Sequence, residues 1–130
     1  MSEFKKKFSI DDRQRQTKAI IEKYENKCPI YLTYDKEIIT KNFTNTASKQ
    51  FNKYIVTGDI NLSQFLVIVR KKINVNAEES LTLFIEIYQN NKLFNSILAP
   101  TTNSIGEIYL NNKDEDGFLY LKLVKENVFG

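Results

Sequence analysis

The sequence contains no histidine and a single cysteine, Cys28, and each scarcity excludes a class of site. One thiol cannot form a disulfide within the chain, so a disulfide-stabilised framework is excluded. A zinc site built from His and Cys ligands is excluded for the same reason. Without histidine, Ser–His–Asp and Cys–His catalytic arrangements lack their base. We therefore expect neither a metal nor a cofactor, and we expect Cys28 to be a small buried residue rather than a nucleophile.

Long apolar runs are absent as well. The longest uninterrupted run, Phe65 to Val69, is far shorter than the ~20 residues that a bilayer-spanning helix needs. The segment Met1 to Phe8 is charged and lacks the apolar stretch of a secretory signal. These features lead us to expect a cytoplasmic protein.

The chain nevertheless has enough apolar material for one core. It has 130 residues, of which 42% are hydrophobic, with nine Phe and seven Tyr, which suits a single domain. The net charge of +3 is unevenly spread, because basic residues prevail over residues 1–27 and acids prevail from Asp114 onward. The asymmetry is compatible with an oriented encounter with a partner, and equally with an ordinary solvated surface.

Periodicity and end signals predict the element order. Ser9 is a helix N-cap followed by Asp11 and Asp12, and helical spacing continues to about Tyr24. A second cap, Asn61, precedes a helix that ends in Arg70 to Lys72. The remaining predictions are a short helix within residues 4–8, another through residues 105–109, and strands at residues 30–34, 53–57, 81–88, 93–98 and 118–124.

The final predicted strand is nearly all apolar, which is typical of a strand in the middle of a sheet. The order therefore predicts an α+β fold, a ubiquitin-like β-grasp in which one helix packs across a mixed four-stranded sheet. We expect an N-terminal helical extension over residues 1–27, the β-grasp domain over 28–125 and a flexible tail over 126–130.

Four segments resemble one known family. Lys113 to Tyr120 reads KDEDGFLY, and Glu126 to Gly130 reads ENVFG, similar to an ENTFG ending. Lys53 to Val56 resembles a KYLV strand, and Gln64-Phe65 before Val69 to Ile73 resembles a GQF…IRKRI helix. Together they resemble the autophagy ubiquitin-like modifiers of the GABARAP and light-chain-three type, the autophagy-related protein eight family. Two segments, 35–50 and 83–98, are longer than in that family.

The resemblance implies a modifier that catalyses nothing itself. Its C-terminal carboxylate, here that of Gly130, would be activated as an adenylate and a thioester and then transferred to phosphatidylethanolamine on autophagosomal membranes. Asn127, Val128 and Phe129 would form the extended conjugation tail that threads the enzymes' groove. The implied partners are the activating and conjugating enzymes and a cysteine protease. Whether Gly130 is the natural end stays open.

The resemblance also implies a docking face for short aromatic-x-x-aliphatic motifs of cargo receptors and adaptors. Such a peptide would add as a strand to the edge of the predicted strand at Lys53. By position, the aromatic pocket comprises Gln16, Ile20, Pro29, Tyr31, Lys53, Ile55 and Phe118. The aliphatic pocket comprises Tyr54, Val56, Thr57, Ile60, Phe65 and Ile68, and the basic rim comprises Lys27, Lys53 and Arg70.

Some assignments leave alternatives open. Phe65 and Ile68 suit a protein core as well as a pocket. Gln16 stands where the family has an acid and Thr57 where it has a proline, so the peptide preference is open. The basic segment Phe4 to Phe8 suits membrane contact, or simply a solvated helix face. We expect a monomer in solution that does not bind nucleic acid.

Other functions compete with this one. A modifier attached to a protein, of the autophagy-twelve kind, has the same structural class. An unconjugated trafficking or cytoskeletal adaptor of the same fold is a second alternative. A nucleic-acid binder would need a recognition motif, and a small enzyme would need a carboxylate pair; neither stands out in the sequence.

Overall fold

The computed structural model of the chain describes residues 2–36, 38, 52–73 and 79–126. The predicted order of helices and strands is confirmed. The elements are α1 (Glu3–Lys7), α2 (Ile10–Lys23), β1 (Lys27–Tyr34), β2 (Lys53–Thr57), α3 (Leu62–Ile73), β3 (Leu81–Gln89), β4 (Lys92–Leu98), α4 (Ile105–Asn112) and β5 (Leu119–Lys125). Most of the long segment expected between β1 and β2 lies outside the described residues.

The strands form one mixed sheet in the order β2-β1-β5-β3-β4. β1 and β5 are parallel, and the other neighbouring pairs are antiparallel. The apolar strand β5 is central, as predicted. The expectation of four strands is wrong, because β4 pairs with β3 and adds a fifth. Asn90 and Asn91 both have positive φ, 52° and 63°, which makes the two-residue turn that brings β4 back along β3.

Helix α3 packs across the inner face of the sheet. Its buried residues Leu62, Phe65, Val69 and Ile73 recur at helical spacing and belong to the main core. The predicted cap is confirmed, since Asn61 Oδ1 accepts from the Gln64 amide at 2.9 Å. Gln64 Oε1 in turn accepts from the Asn61 amide at 2.9 Å, so the pair forms a reciprocal capping box.

Helix α1 is joined to the outer face through a second, aromatic cluster. Phe4, Phe118 and Tyr120 are buried there, and Phe8, Tyr31 and Tyr88 pack against them. The predicted start of α2 is confirmed, because Ser9 Oγ accepts from the Asp12 amide at 3.1 Å. Among the described helices, none has the length and apolarity that crossing a bilayer requires.

Strand β1 begins three residues before the predicted start at Ile30, and it includes Pro29. Proline is tolerated at this position because Pro29 precedes the ladder with β5, which begins at Ile30. Its partner in the sheet is Ile55 of β2. Cys28 is buried, as predicted.

Candidate functional site

Strand β2 is an edge strand of the sheet, and we call it the β2 margin. It separates two surfaces. In the described part of the chain β1 is its neighbour in the sheet. Tyr54 and Val56 are buried, whereas Lys53 and Ile55 are exposed. Alternate side chains therefore enter the inner, α3 side and the outer, α2 side of the same strand.

The outer side assembles the residues of the predicted aromatic pocket. The register places Pro29 opposite Ile55 and Tyr31 opposite Lys53, so these side chains share one face. Phe118 is buried, with its ring centroid 6.2 Å from that of Tyr31. The remaining two, Gln16 and Ile20, follow one another by one turn of α2. Lys53 Nζ donates to Gln16 Oε1 at 2.9 Å, which links α2 to the margin.

Two residues of this surface were missed by the sequence analysis. Phe4 stacks on Tyr31 with centroids 4.4 Å apart and meets Phe118 edge-on at 5.3 Å. Lys53 Nζ lies 4.9 Å from the Phe4 centroid and 5.7 Å from that of Phe8. The available signal was the i, i+4 spacing of Phe4 and Phe8, which puts both rings on one face of a helix.

An open cavity of about 810 Å³ lies between α1 and the margin. Its lining mixes aromatic rings with lysines: Glu3, Phe4, Lys6, Lys7, Phe8, Tyr31, Asn52 and Lys53. Burial, and to a lesser extent the charge of Lys7, lower the pKa of Lys53. An ammonium group in this position gains from an incoming carboxylate, because the carboxylate replaces lost solvation and offsets the repulsion from Lys7.

The inner side carries residues that were predicted to form the aliphatic pocket. The Tyr54 and Phe65 rings meet edge-on at 5.3 Å, and Phe65 and Val56 are buried in the main core. Ile60 and Thr57 are half-buried, and Ile68 is 38% exposed. The residues therefore divide between floor and rim, and Phe65 serves core packing whatever else it contacts.

The predicted basic rim is not brought together as one group. Lys53 lines the cavity beside α1, and Lys27 is opposite Thr57 at the end of the margin. The Arg70 guanidinium donates from Nη2 to the Glu79 carbonyl at 2.7 Å, close to the start of β3. Lys6 and Lys7 of α1 line the same cavity as Lys53.

The KDEDGFLY segment fastens the N-terminal helices to the sheet. Asp116 Oδ2 accepts from Arg13 Nη1 at 2.6 Å and from the Tyr120 hydroxyl at 2.5 Å, and Arg13 and Asp116 are fully buried. Lys5 Nζ lies 3.0 Å from Asp114 Oδ2 and 3.9 Å from Asp116 Oδ2. We refer to Lys5, Arg13, Asp114, Asp116 and Tyr120 as the latch. Burial raises the pKa of the Asp114 carboxyl, against the opposing effect of Lys5.

Gly117 completes this arrangement. Its φ is +93°, and a Cβ there would lie 2.4 Å from Thr17 Oγ1. Thr17 Oγ1 also donates to the Asp116 carbonyl at 2.7 Å. Only glycine allows α2 to approach this turn so closely.

The predicted conjugation tail, Asn127, Val128, Phe129 and Gly130, lies outside the described residues. The described chain reaches Glu126, whose amide donates to the Ser80 carbonyl at 2.8 Å. The end of β5 is therefore held beside the start of β3.

A mixed sheet crossed by one helix, with two helices on its outer face, defines the chain as a ubiquitin-like protein. A solved structure of Trypanosoma brucei ATG8 superposes with a TM-score of 0.71 at 26% identity, covering 100% of this chain and 99% of that one. Autophagy-related protein 8 of Kluyveromyces marxianus is 33% identical over 129 residues, which are 99% of this chain and 92% of that protein. Autophagy-related protein 8c of Arabidopsis thaliana is also 33% identical, over 99% and 96%.

The family model described as "Autophagy protein Atg8 ubiquitin like" matches residues 12–130. The chain belongs to the Atg8 family of ubiquitin-like autophagy proteins. Members of this family are non-enzymatic modifiers that work with the autophagy conjugation machinery.

Proposed function

We propose that this protein is conjugated through Gly130 to phosphatidylethanolamine and recruits proteins that carry aromatic-x-x-aliphatic motifs to the margin of β2. It would move from the cytoplasm to the autophagosome membrane on conjugation. Its partners would be the activating, conjugating and cysteine-protease enzymes, and the cargo receptors and adaptors that bear the motifs. Family membership and the Glu126 to Gly130 segment support the conjugation step.

The observation that carries the docking proposal is the alternation along β2. Side chains three residues apart on an added strand point to opposite faces, ~10 Å apart along the strand. The outer surface around Lys53 and Ile55 and the inner surface around Tyr54 and Val56 also lie on opposite faces. The motif spacing therefore fits this margin, with the aromatic residue outside and the aliphatic residue inside.

Peptide titration tests the docking. We expect Ile68→Asp to weaken binding of an aromatic-x-x-aliphatic peptide about tenfold or more, since a charge would line the inner pocket. Val67→Asp is the matched control, because Val67 is the adjacent α3 residue, is 52% exposed and is outside the predicted pocket. Equal loss in both variants would contradict the assignment.

A peptide of altered spacing sharpens the same test. An aromatic-x-aliphatic peptide puts both side chains on one face of the added strand. We expect it to bind at least about tenfold more weakly. Equal affinity for the two spacings would mean that the margin of β2 does not bind peptides as an added strand.

Conjugation is tested separately. In starved cells we expect a lipid-dependent mobility shift that Gly130→Ala abolishes and Ile68→Asp leaves intact. Mass spectrometry of the product then identifies the amine. A protein lysine on Gly130 would support the protein-attached alternative, and unchanged cellular puncta after loss of Gly130 would support an unconjugated adaptor.

A further inference from the structure

A second open cleft, of about 780 Å³, lies on the outer face of the sheet beside the start of α1. It extends from Asn52, next to β2, to Leu93 on β4, the opposite edge strand. Phe4, Tyr31 and Asn52 line both this outer-face cleft and the cavity between α1 and the β2 margin. The outer-face cleft therefore adjoins the surface on which the proposed peptide docks.

The two cavities differ in charge. The cavity at the β2 margin is lined by three lysines and one acid: Lys6, Lys7, Lys53 and Glu3. The outer-face cleft is lined by three acids and two lysines: Glu3, Asp35, Glu86, Lys36 and Lys122. A ligand that reaches the outer-face cleft thus meets an excess of negative charge, which favours a cationic group.

Glu86 is the buried acid of the outer-face cleft, with 8% of its surface exposed. Its Oε1 accepts from the Tyr88 hydroxyl at 3.2 Å and from Thr33 Oγ1 at 3.5 Å. Burial and the charge of Glu86 raise the pKa of Tyr88. Among the described residues no cation forms an ion pair with Glu86, and Lys122, which lines the same cleft, is opposite Phe84 in the ladder. Because a buried carboxylate is unfavourable without a cationic partner, a cation supplied by a ligand would stabilise Glu86.

The direction of the proposed peptide places its leading residues at this cleft. The predicted aromatic pocket contains Lys53, at the start of β2, whereas the predicted aliphatic pocket contains Thr57, at its end. A peptide that docks in this order runs parallel to β2, so the residues before its aromatic side chain leave the margin near Asn52. Glu86 on β3 is three strand spacings from β2, roughly 14 Å. About four to six extended residues cover that distance, at ~3.3 Å each.

We propose that the outer-face cleft binds the guanidinium group of an arginine about four to six residues before the aromatic residue of the docked peptide, with Glu86 as its partner. This subsite rests on the proposed docking at the β2 margin. Arginine suits the cleft better than lysine, because the weakly hydrated guanidinium group can stack on the Tyr31 and Tyr88 rings while it donates to the carboxylate. The arginine is thereby a second determinant of specificity beside the aromatic-x-x-aliphatic spacing.

Titration of matched peptides into the full-length chain tests the subsite. One series carries arginine at a single position, about four to six residues before the aromatic residue. A parallel series carries citrulline there, which has nearly the same shape and no charge. We expect the best arginine peptide to bind about tenfold more tightly than its citrulline counterpart. Equal affinities of the two series at every position would overturn the subsite, and a lysine peptide that bound as tightly as the arginine peptide would overturn the guanidinium assignment.

Two variants assign the effect to Glu86. Glu86→Gln keeps an acceptor for Tyr88 and removes the charge, so we expect it to abolish the preference for arginine and to leave affinity for the citrulline peptide within about twofold. Glu115→Gln is the matched control, because Glu115 is an exposed acid outside the outer-face cleft, and it should keep the preference. An undiminished preference in Glu86→Gln would overturn the role of Glu86.

The outcomes separate this subsite from the proposed function. If no peptide of either series bound, the docking at the β2 margin would itself be wrong. If both series bound equally well, only the arginine subsite would be wrong. The comparison of arginine with citrulline in the unaltered chain needs no variant, so it decides the question even if Glu86→Gln does not fold.

Discussion

The two margins of the sheet share a backbone chemistry and differ in what surrounds them. β2 is flanked by α2 on one face and α3 on the other, and its five residues alternate between buried and exposed. β4 has seven residues, all exposed. Both offer backbone groups for strand addition, and they differ in the helices that pack beside β2.

This difference separates two kinds of recognition. A strand added to β2 contributes side chains to the pockets, so the margin can select among peptides. A strand added to β4 meets protruding, exposed side chains instead. The latch supports strand addition at β2, because it holds α1 and α2 against the outer face of the sheet.

The largest effect is expected from breaking the latch. Asp116→Ala leaves the buried Arg13 guanidinium without its carboxylate, which costs about 3–5 kcal/mol of unfolding free energy. Urea titration measures it, with Glu115→Ala as the exposed neighbouring control at within about 0.5 kcal/mol. Amide exchange should increase in α2 more than in β4. Equal destabilisation by the two variants would show that the latch does not stabilise the fold.

The next effect compares one variant at each margin. We expect Ile68→Asp to weaken peptide binding about tenfold or more, and Leu98→Lys, on the exposed strand β4, to leave the affinity within about twofold. Peptide titration of both variants measures the difference. Equal loss in the two variants would show that peptide binding is not confined to the β2 margin.

Cys28 reports opening of the β2 margin, because it is opposite Val56. Burial raises the pKa of its thiol above the ordinary 9.0. The native chain then binds more protons than the unfolded chain, so this residue lowers the unfolding free energy as pH rises above 9.0. At neutral pH we expect alkylation of Cys28 at least about tenfold slower than in denaturant. The exposed thiol of Ser96→Cys is the fast internal control, and similar rates at both thiols would mean that the β2 margin is open.

The smallest effect concerns Lys53. Because burial and Lys7 lower its pKa, the native chain loses the Lys53 proton before the unfolded chain does. The associated cost to stability is present at neutral pH and disappears as pH rises toward 10.5. Lys7→Gln should raise the pKa of Lys53, whereas Lys18→Gln on the exposed face of α2 should leave it unchanged. NMR of the Lys53 side-chain carbon resonances measures this pKa in both variants. An unchanged value in Lys7→Gln would show that Lys7 does not influence the groove.

Much of the fold was predictable because the signals are local. The caps at Ser9 and Asn61, the helical spacing of α3 and the apolar run of β5 each depend on neighbours in sequence. The number of strands was not predictable in the same way. Residues 92–98 look like a hairpin partner, but only pairing with β3 shows that they extend the sheet.

The same distinction between local signals and long-range contacts applies to the candidate site. The sequence by itself determined the alternation of β2, because side-chain direction follows residue parity in a strand, while the two sets of pocket residues are predictions from the family resemblance. The tertiary structure alone decided that Phe4 stacks on Tyr31, that the KDEDGFLY acids bind Arg13 and Lys5, and that Arg70 donates to Glu79. Those contacts join elements far apart in sequence, and their partners are set by how whole faces pack rather than by any local pattern.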